Sequence, residues 1–353
     1  MSAHPPEVVP GRSRTPRWRD WRVWFGVAVT VFFGWLALKD VDLAEVARTI
    51  ARTDWILLFG ISVPAYVMLL WLRALRWRHL TEPIQPMPRS ALFRAVSVGF
   101  MANNLFPLRM GEVVRSWYLA RETGTSAAAV FGTVILERVV DTVSLILLVC
   151  MVIAMRGDED GVLARGAVLL LPVAVLPIVF LAVLKAKPER VLAWTRFLLR
   201  PIPRLAGFVE RLLAQFEEGL GALRGGRHLL WIAFHSVLIW WVVSVLPILA
   251  SFGALGLDLG SPARTVEAAW TTQAVVGVAV ALPSAPGFFG IFHWACQLAL
   301  VGFGVPSEEA LAAGTLLHAV MWLTLTGIGL GVLWLRSTSL GDIDRAGDAS
   351  ESA

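Results

Sequence analysis

Long runs of apolar residues constrain this chain more than any other feature of its sequence. They lie at about 21–38, 55–72, 91–106, 127–155, 162–184, 228–252, 267–283, 286–303 and 308–335. Roughly 20 apolar residues cross the hydrocarbon core of a bilayer as a helix. Of the 353 residues, 57% are hydrophobic and 16% are charged, whereas soluble domains carry about 25% charged residues. The sequence therefore predicts an all-α polytopic membrane protein and excludes a soluble enzyme.

Some of these runs cannot cross the membrane as one continuous helix. The run 91–106 leads into amides and a proline at 103–107, and only Pro-Ser-Ala-Pro-Gly separates 267–283 from 286–303. Non-helical backbone is tolerated inside a membrane only where protein or a water-filled cavity satisfies it. We therefore expect two re-entrant hairpins, about six full transmembrane helices and a polar interior.

The distribution of basic residues predicts the orientation. With the N-terminus inside, the segments 1–22, 73–126, 185–227 and the C-terminus hold 24 of the 31 lysines and arginines, and the outer segments hold six. Cytoplasmic loops of membrane proteins carry such an excess. We expect a multi-pass protein of the bacterial inner (cell) membrane with both termini cytoplasmic. The net charge of +5 then needs no nucleic-acid partner.

The two halves of the chain resemble each other. Residues 55–155 and 228–335 each run helix, hairpin, helix. In each half a Val-Gly pair precedes a proline and then a glycine four residues later: Gly99, Pro107 and Gly111, then Gly277, Pro286 and Gly290. The orientation makes the halves an inverted repeat, and paired Gly/Pro-interrupted segments point to a transporter site near the midplane.

The repeats belong to one predicted domain, residues 21–335, flanked by disordered tails at 1–20 and 336–353. A cytoplasmic segment at 185–227, in which apolar residues alternate with Lys, Arg and Glu, joins them. This pattern is typical of amphipathic helices on the inner leaflet. A solvated pair of connecting helices fits it equally well.

The stretch 103–115 carries polar groups suited to a ligand. It places two amides, two guanidinium groups and a carboxylate in a broken segment: Asn103, Asn104, Arg109, Glu112 and Arg115. Pro107 removes a backbone donor and Gly111 lets the chain turn. Arg109 and Arg115 can hold a phosphate through forked hydrogen bonds. The alternative is that they are ordinary inner-loop charges that reach the interface.

A second polar group lies in the helix that follows. Glu137, Arg138 and Asp141 stand ten or more residues inside an apolar run, and their spacing places them on one helical face. Each isolated charge at this depth costs at least ~2.5–3.5 kcal/mol. The three must therefore be paired or hydrated. They form either a functional network or an ion pair that fixes the hairpin against the helix.

In the second half the predicted site is weaker. His318 falls near the position that Glu137 occupies in the first half, so we expect it to line the same cavity. The residues that break the second hairpin are Pro283, Pro286, Gly287 and Gly290. Both cysteines, Cys150 and Cys296, lie in apolar runs. Since they form no ligand cluster, the sequence predicts no metal site and no cofactor.

The polar motifs resemble those of a known family. Asn-x-x-Pro-x-Arg-x-Gly-Glu-x-x-Arg at 104–115, Glu-Arg-x-x-Asp at 137–141 and Pro-Gly-x-x-Gly at 286–290 are similar to the flippase-like transmembrane domain of bacterial lysylphosphatidylglycerol synthetases. The resemblance covers about 21–335. It implies a stand-alone member without the aminoacyl-transferase domain, and a role in lipid translocation.

Three functions remain at this point. The first is a flippase or transporter, not an enzyme, that moves an anionic phospholipid or a polyprenyl-phosphate-linked substrate between leaflets. The second is an accessory lipid-binding subunit. The third is an integral-membrane enzyme that modifies a lipid phosphate, although no nucleophile, metal triad or nucleotide loop favours it.

Overall fold

A computed structural model describes residues 21–106, 110–156, 186–201, 226–281 and 286–336, with isolated positions between 179 and 213. Every regular element in these ranges is helical. The predicted run 162–184 and the tails lie almost entirely outside the described residues. The predicted site residues Pro107, Arg109 and Pro283 also lie outside them.

The described helices occur in the following order along the chain. They are α1 (Trp21–Leu38), α2 (Leu43–Ala51), α3 (Trp55–Thr81), α4 (Arg89–Leu105), α5 (Gly111–Thr123), α6 (Ala127–Arg156), α7 (Pro188–Leu198), α8 (Gly226–Val237), α9 (Leu246–Leu255), α10 (Pro262–Ala279), α11 (Ile291–Val301) and α12 (Ser307–Leu335). A π-helical turn, Leu238–Val242, and a 3₁₀ turn, Val243–Val245, join α8 to α9. A second 3₁₀ turn, Pro286–Phe288, precedes α11.

Four helices of the described part are long and apolar enough to cross a membrane. They are α3, α6, the continuous α8–α9 unit and α12, with 27 to 29 residues each. At 1.5 Å per residue such helices exceed the ~30 Å hydrocarbon core. The prediction of an all-α polytopic membrane protein is confirmed.

Helix α3 is longer than its apolar run. The sequence predicts that the run ends at residue 72, whereas the helix continues to Thr81. Arg73 and Arg76 therefore belong to a membrane helix and not to an inner loop. The helix can continue because both side chains are buried against carboxylates of α6, which compensate their charge.

Contacts between helix ends define one face of the molecule. The amide of Asp54, at the start of α3, donates to the carbonyl of Ala254 at the end of α9, 2.9 Å away. The amide of Asp42 lies 3.4 Å from a carboxylate oxygen of Glu308, at the start of α12. We call this side the Asp54 face.

The other ends of the same helices define the opposite side. Glu82, which follows α3, lies 3.6 Å from His228 at the start of α8. Glu122, in the last turn of α5, lies 3.8 Å from Arg336 at the end of α12. We call this side the Glu82 face.

The two hairpins open to opposite faces. In the first, Arg94 of α4 pairs with Glu122 of α5, so both arms begin and end at the Glu82 face. In the second, Arg264 of α10 donates to the carbonyl of Phe303, just after α11, and both arms meet at the Asp54 face. The predicted inverted arrangement of two opposed hairpins is confirmed.

The repeats also pack reciprocally. Helix α4 of the first hairpin lies against α12, and α10 of the second lies against α6. Glycines allow this closeness: a Cβ on Gly329 of α12 would lie 2.3 Å from Cβ of Met101. Within the first hairpin, a Cβ on Gly111 would lie 2.1 Å from the carbonyl oxygen of Gly99. Small residues at helix contacts are typical of membrane bundles.

Candidate functional site

The site is built around two buried carboxylates on α6. Glu137 and Asp141 are 0% and 5% exposed and lie one helical turn apart. Their oxygens meet guanidinium groups from three helices. The distances are 2.9 Å for Arg115–Glu137, 3.1 Å for Arg76–Glu137, 2.7 Å for Arg76–Asp141, 3.0 Å for Arg73–Asp141 and 3.1 Å for Arg138–Asp141.

This arginine–carboxylate cluster, Arg73, Arg76, Arg115, Arg138, Glu137 and Asp141, is not electrically balanced. Among the residues that the structure describes, four guanidinium groups meet two carboxylates, which leaves two positive charges in excess. Glu112 approaches Arg138 at 3.9 Å and lowers the excess to one. Because buried charge in a membrane is costly, a positive excess here favours an anion as its partner.

Aromatic side chains hold the arginines in place. The guanidinium carbon of Arg115 lies 5.0 Å from the ring centre of Trp77, and that of Arg73 lies 5.2 Å from Phe100. Trp77 is itself anchored, since its indole N–H donates to Thr133 of α6 over 2.8 Å. Stacking on an aromatic ring stabilises a cation most strongly where water is excluded.

The second repeat completes the cluster. The indole of Trp240 donates to Asp141 over 3.0 Å, and Arg76 donates to the hydroxyl of Ser236 over 3.1 Å. Trp240 belongs to the π-helical turn that interrupts the α8–α9 unit. Such turns are frequent at functional sites because they redirect side chains out of the regular helical register.

A cavity of about 240 Å³ lies beside the cluster, between the two repeats. Its polar lining comes from both repeats: Tyr66, Arg73, Asn103, Asn104, Glu112, Arg115, Arg138, Ser244 and Gln273. The carboxylates Glu137 and Asp141 are not among the lining residues and lie behind the arginines. Of the described residues, three arginines and one glutamate line the cavity, which gives this wall a positive charge.

The arginines that line the cavity retain unused donors. Nε of Arg73, Nη2 of Arg115 and Nε of Arg138 are buried and have no hydrogen-bond partner within the described part of the chain. An unsatisfied buried donor costs about 1–3 kcal/mol, more when it is charged. A ligand with several acceptor oxygens would remove this cost.

The predicted residues of the first hairpin have distinct surroundings. Asn103 accepts from the amide of Gly111 over 2.9 Å and so holds the hairpin's two arms together. Asn104 donates to Thr326 of α12 over 3.0 Å and links the repeats. Glu112 and Arg115 reach the cavity. The structure thus brings these four residues together with Arg138, while their roles in binding remain predictions.

In the second repeat the predicted residues lie apart from the cluster. His318 is 2% exposed, and its Nε2 lies 2.6 Å from the carbonyl oxygen of Gly287. Gly287 and Gly290 both have positive φ, at 72° and 80°, a region that glycine enters without strain. Gly287 lies in the 3₁₀ turn that begins at Pro286. His318 is not among the residues that line the cavity, and its role remains a prediction.

Arg73, Arg76 and Trp240 were not predicted as site residues from the sequence. The two arginines follow an apolar run and resemble the basic residues that end many membrane helices. Their spacing of three, on the same helical face, was the available signal. Trp240 stands in an apolar, tryptophan-rich stretch that carries no local sign of a polar partner.

Comparison with known proteins agrees with this architecture. The chain matches the family described as lysylphosphatidylglycerol synthase TM region over residues 23–329, and it belongs to that family. The resemblance inferred from the motifs is confirmed, and the family connects the protein with membrane lipids.

Two relatives extend the comparison. A UPF0104 membrane protein of Methanothermobacter thermautotrophicus is 22% identical over 324 residues, which cover 87% of this chain and 94% of that protein. Glycosyltransferase AglD of Haloferax volcanii is 27% identical over 347 residues, which cover 89% of this chain and 54% of that protein. This chain thus spans about half of the glycosyltransferase. No solved structure matches the chain.

Proposed function

We propose that this protein moves the headgroup of an anionic lipid between the two leaflets of the membrane. The observation that carries the proposal is the cavity wall formed by Arg73, Arg115 and Arg138, with three unused N–H donors. A phosphate group offers the negative charge and the several acceptor oxygens that such donors require. An anionic phospholipid and a polyprenyl-phosphate-linked lipid share this chemistry.

The cavity suits a headgroup and not a whole lipid. Its volume is about 240 Å³, below the roughly 300–1,000 Å³ of pockets that enclose drug-sized ligands. The acyl chains would remain in the bilayer while the phosphate enters between the repeats. Two hairpins that open to opposite faces provide the symmetry that alternating access requires.

Arg138 is the group best placed to exchange partners during transport. Its side chain is 42% exposed, whereas Glu137 is fully buried. It contacts Glu112, Glu137 and Asp141 at 3.9, 3.4 and 3.1 Å. A phosphate in the cavity would compete with these carboxylates for the same guanidinium group, so binding would loosen the link between α5 and α6.

We further place the Glu82 face, and with it both termini, on the cytoplasmic side of the cell membrane. The positive-inside rule supports this orientation, since Arg78, Arg89, Arg94, Arg121 and Arg336 all lie near that face. In a variant without Cys150 and Cys296, a cysteine at Arg89 should react with an impermeant reagent only after the cells are opened. A cysteine at Ser261 should react in intact cells, and the reverse pattern would overturn the orientation.

The transport proposal is tested in vesicles that contain the purified protein and a trace of fluorescent phosphatidylglycerol or phosphatidylcholine. An impermeant quencher reports how fast inner-leaflet lipid reaches the outside. We expect exchange of the anionic lipid, and about tenfold slower exchange in Arg138→Lys, because losing one charge-assisted hydrogen bond costs roughly 1.5–3 kcal/mol. The matched control Arg196→Lys changes an exposed arginine that pairs with Glu210 and should exchange lipid at the parent rate.

One comparison supports a second candidate function. Because a relative is named a glycosyltransferase, this protein could instead present a lipid to a partner enzyme or modify the headgroup itself. Binding of the fluorescent lipid without exchange would favour presentation. A headgroup changed in mass after incubation would favour an enzyme. Equal exchange by the parent and Arg138→Lys would remove the arginine wall from the mechanism.

A further inference from the structure

A second group of polar side chains lies at the Glu82 face, outside the cavity. His79 in the last turn of α3, Glu82 just after that helix and His228 in the first turn of α8 converge there. One nitrogen of each imidazole and one carboxylate oxygen of Glu82 all lie within 4.8 Å of one another. We propose that these three residues bind a divalent transition-metal ion such as Zn²⁺, which links α3 to α8.

The donor set has the right chemistry. Imidazole nitrogen and carboxylate oxygen are ordinary zinc ligands, and two histidines with one carboxylate leave a fourth position for water. His79 and Glu82 are three residues apart and share one helical face. Glu82 and His228 already approach at 3.6 Å. Ligands around a tetrahedral zinc ion at ~2.0–2.2 Å lie about 3.4 Å apart, so this pair needs almost no movement.

Unused nitrogens provide a second, independent observation. Nδ1 of His79 and Nδ1 of His228 are buried atoms without a hydrogen-bond partner in the part of the chain that the structure describes. Buried polar atoms are nearly always satisfied by protein, water or an ion. The Glu82 side chain is 47% exposed, so an ion and its water ligands can enter from the aqueous side.

The neighbouring aromatic rings offer a reporter and a control. Trp231 stacks on His79 with 6.4 Å between ring centres and 8° between planes. The ring of His235 lies 5.8 Å from that of His79, but its Nδ1 is already engaged with the carbonyl of Trp231 at 2.7 Å. The donor atoms that converge within 4.8 Å belong to His79, Glu82 and His228, so His235 is a histidine of the same aromatic cluster that stands outside the proposed ligand set.

Metal at this position would act on the cluster that lines the cavity. His79 follows Arg76 by three residues on α3, and Arg76 donates to Ser236 of α8. The ion would bridge the same two helices closer to the Glu82 face, by about one turn on α3 and about two turns on α8. Since α3 and α8 belong to opposite repeats, metal would hold the repeats together at that face.

The test uses the full chain in detergent, purified without a polyhistidine tag, with Zn²⁺ as the titrant and Co²⁺ as the optical probe. We expect one zinc per chain, partial quenching of tryptophan fluorescence by Co²⁺ that is smaller in Trp231→Phe, and an X-ray absorption spectrum with two imidazole ligands. His228→Gln and Glu82→Gln should each weaken zinc binding by more than about 100-fold. Mutation of residues that only hydrogen-bond to metal ligands already lowers metal affinity by roughly 10–100-fold. His235→Gln should bind like the parent.

Several results would overturn the proposal. They are parent-like affinity in His228→Gln or Glu82→Gln, loss of binding in His235→Gln alone, or no zinc binding by the parent. If the histidine variants fail to fold, Glu82→Gln still tests the proposal. The Glu82 side chain is half exposed, and replacing its carboxylate leaves the aromatic packing intact. Absence of binding would identify the cluster as an aromatic contact between α3 and α8.

Discussion

The two repeats share one backbone plan and differ in the chemistry placed on it. At the contact between hairpin and following helix, the first repeat has the arginine–carboxylate cluster. The second has His318, which lies against Phe289 and Phe292 with 4.8 Å between ring centres in both pairs, and bonds the Gly287 carbonyl. Both contacts fix a re-entrant hairpin inside the bundle, one through charge and one through aromatic packing and a neutral hydrogen bond.

This difference explains why the cavity has one charged wall. The described residues of the second repeat that reach it, such as Gln273, Val276 and Leu317, carry no charge. An anion would therefore be held by the first repeat and only contacted by the second. The inverted repeat gives the protein two hairpins with the same backbone arrangement. The side chains differ between the repeats, and among the described residues only those of the first repeat are suited to bind an anion.

The largest expected effect tests whether charge holds the first hairpin. Glu137→Gln removes the buried carboxylate that Arg115 meets and leaves Arg76 with Asp141 alone, and removing one partner of a buried ion pair costs about 3–5 kcal/mol. His318→Gln should cost less, about 1–2 kcal/mol, because the new amide can still donate to the Gly287 carbonyl. Thermal unfolding in detergent measures both. Equal losses would contradict the distinction between the two contacts.

The next effect concerns how closely the first hairpin's arms approach. A Cβ at residue 111 would lie 2.1 Å from the Gly99 carbonyl oxygen, so Gly111→Ala should destabilise the protein by about 1–3 kcal/mol through overpacking. Gly60→Ala is the matched control, since no atom in the described part of the chain lies within 4 Å of a Cβ there. The control should be neutral or stabilising, because alanine favours helices by roughly 0.5–1 kcal/mol. Equal thermal stability of the two variants would show that the arms separate freely.

The smallest effect tests the neutral link between the repeats. Thr326→Val keeps the shape of the side chain and removes the acceptor of the Asn104 amide. We expect the free energy of unfolding to fall by about 1 kcal/mol, the low end of the roughly 1–3 kcal/mol cost of an unsatisfied buried donor. The low end applies because Asn104 also lines the cavity. The shift in unfolding temperature measures it. A loss as large as that of Glu137→Gln would mean that neutral links matter as much as charged ones.

Local sequence patterns were sufficient to predict part of the site. Glu137, Arg138 and Asp141 could be recognised because charge inside an apolar run is expensive and must be explained. Gly111 could be recognised because a broken membrane segment needs a glycine, although in the structure it begins α5 and permits the close approach of the two arms. Each of these signals lies within a few residues of the position it identifies, so no knowledge of the tertiary structure was required.

The end of α3 could not be predicted in the same way. A run of apolar residues stops at Leu72, and the basic residues after it resemble a loop. The helix continues because Arg73 and Arg76 meet carboxylates more than 60 residues further along the chain. Hydropathy evaluates each residue alone, whereas the cost of a buried charge depends on its partner.

The sequence by itself determined the membrane environment, the two broken hairpins, their inverted order and the acidic residues of α6. Only the tertiary structure decided that Arg73, Arg76 and Trp240 join them, that the carboxylates lie behind the arginines, and that His79 meets His228. The physical reason is the separation along the chain between the residues that interact. Helix formation and membrane insertion depend on neighbouring residues, while charge balance and ligand geometry depend on side chains that only helix packing brings together.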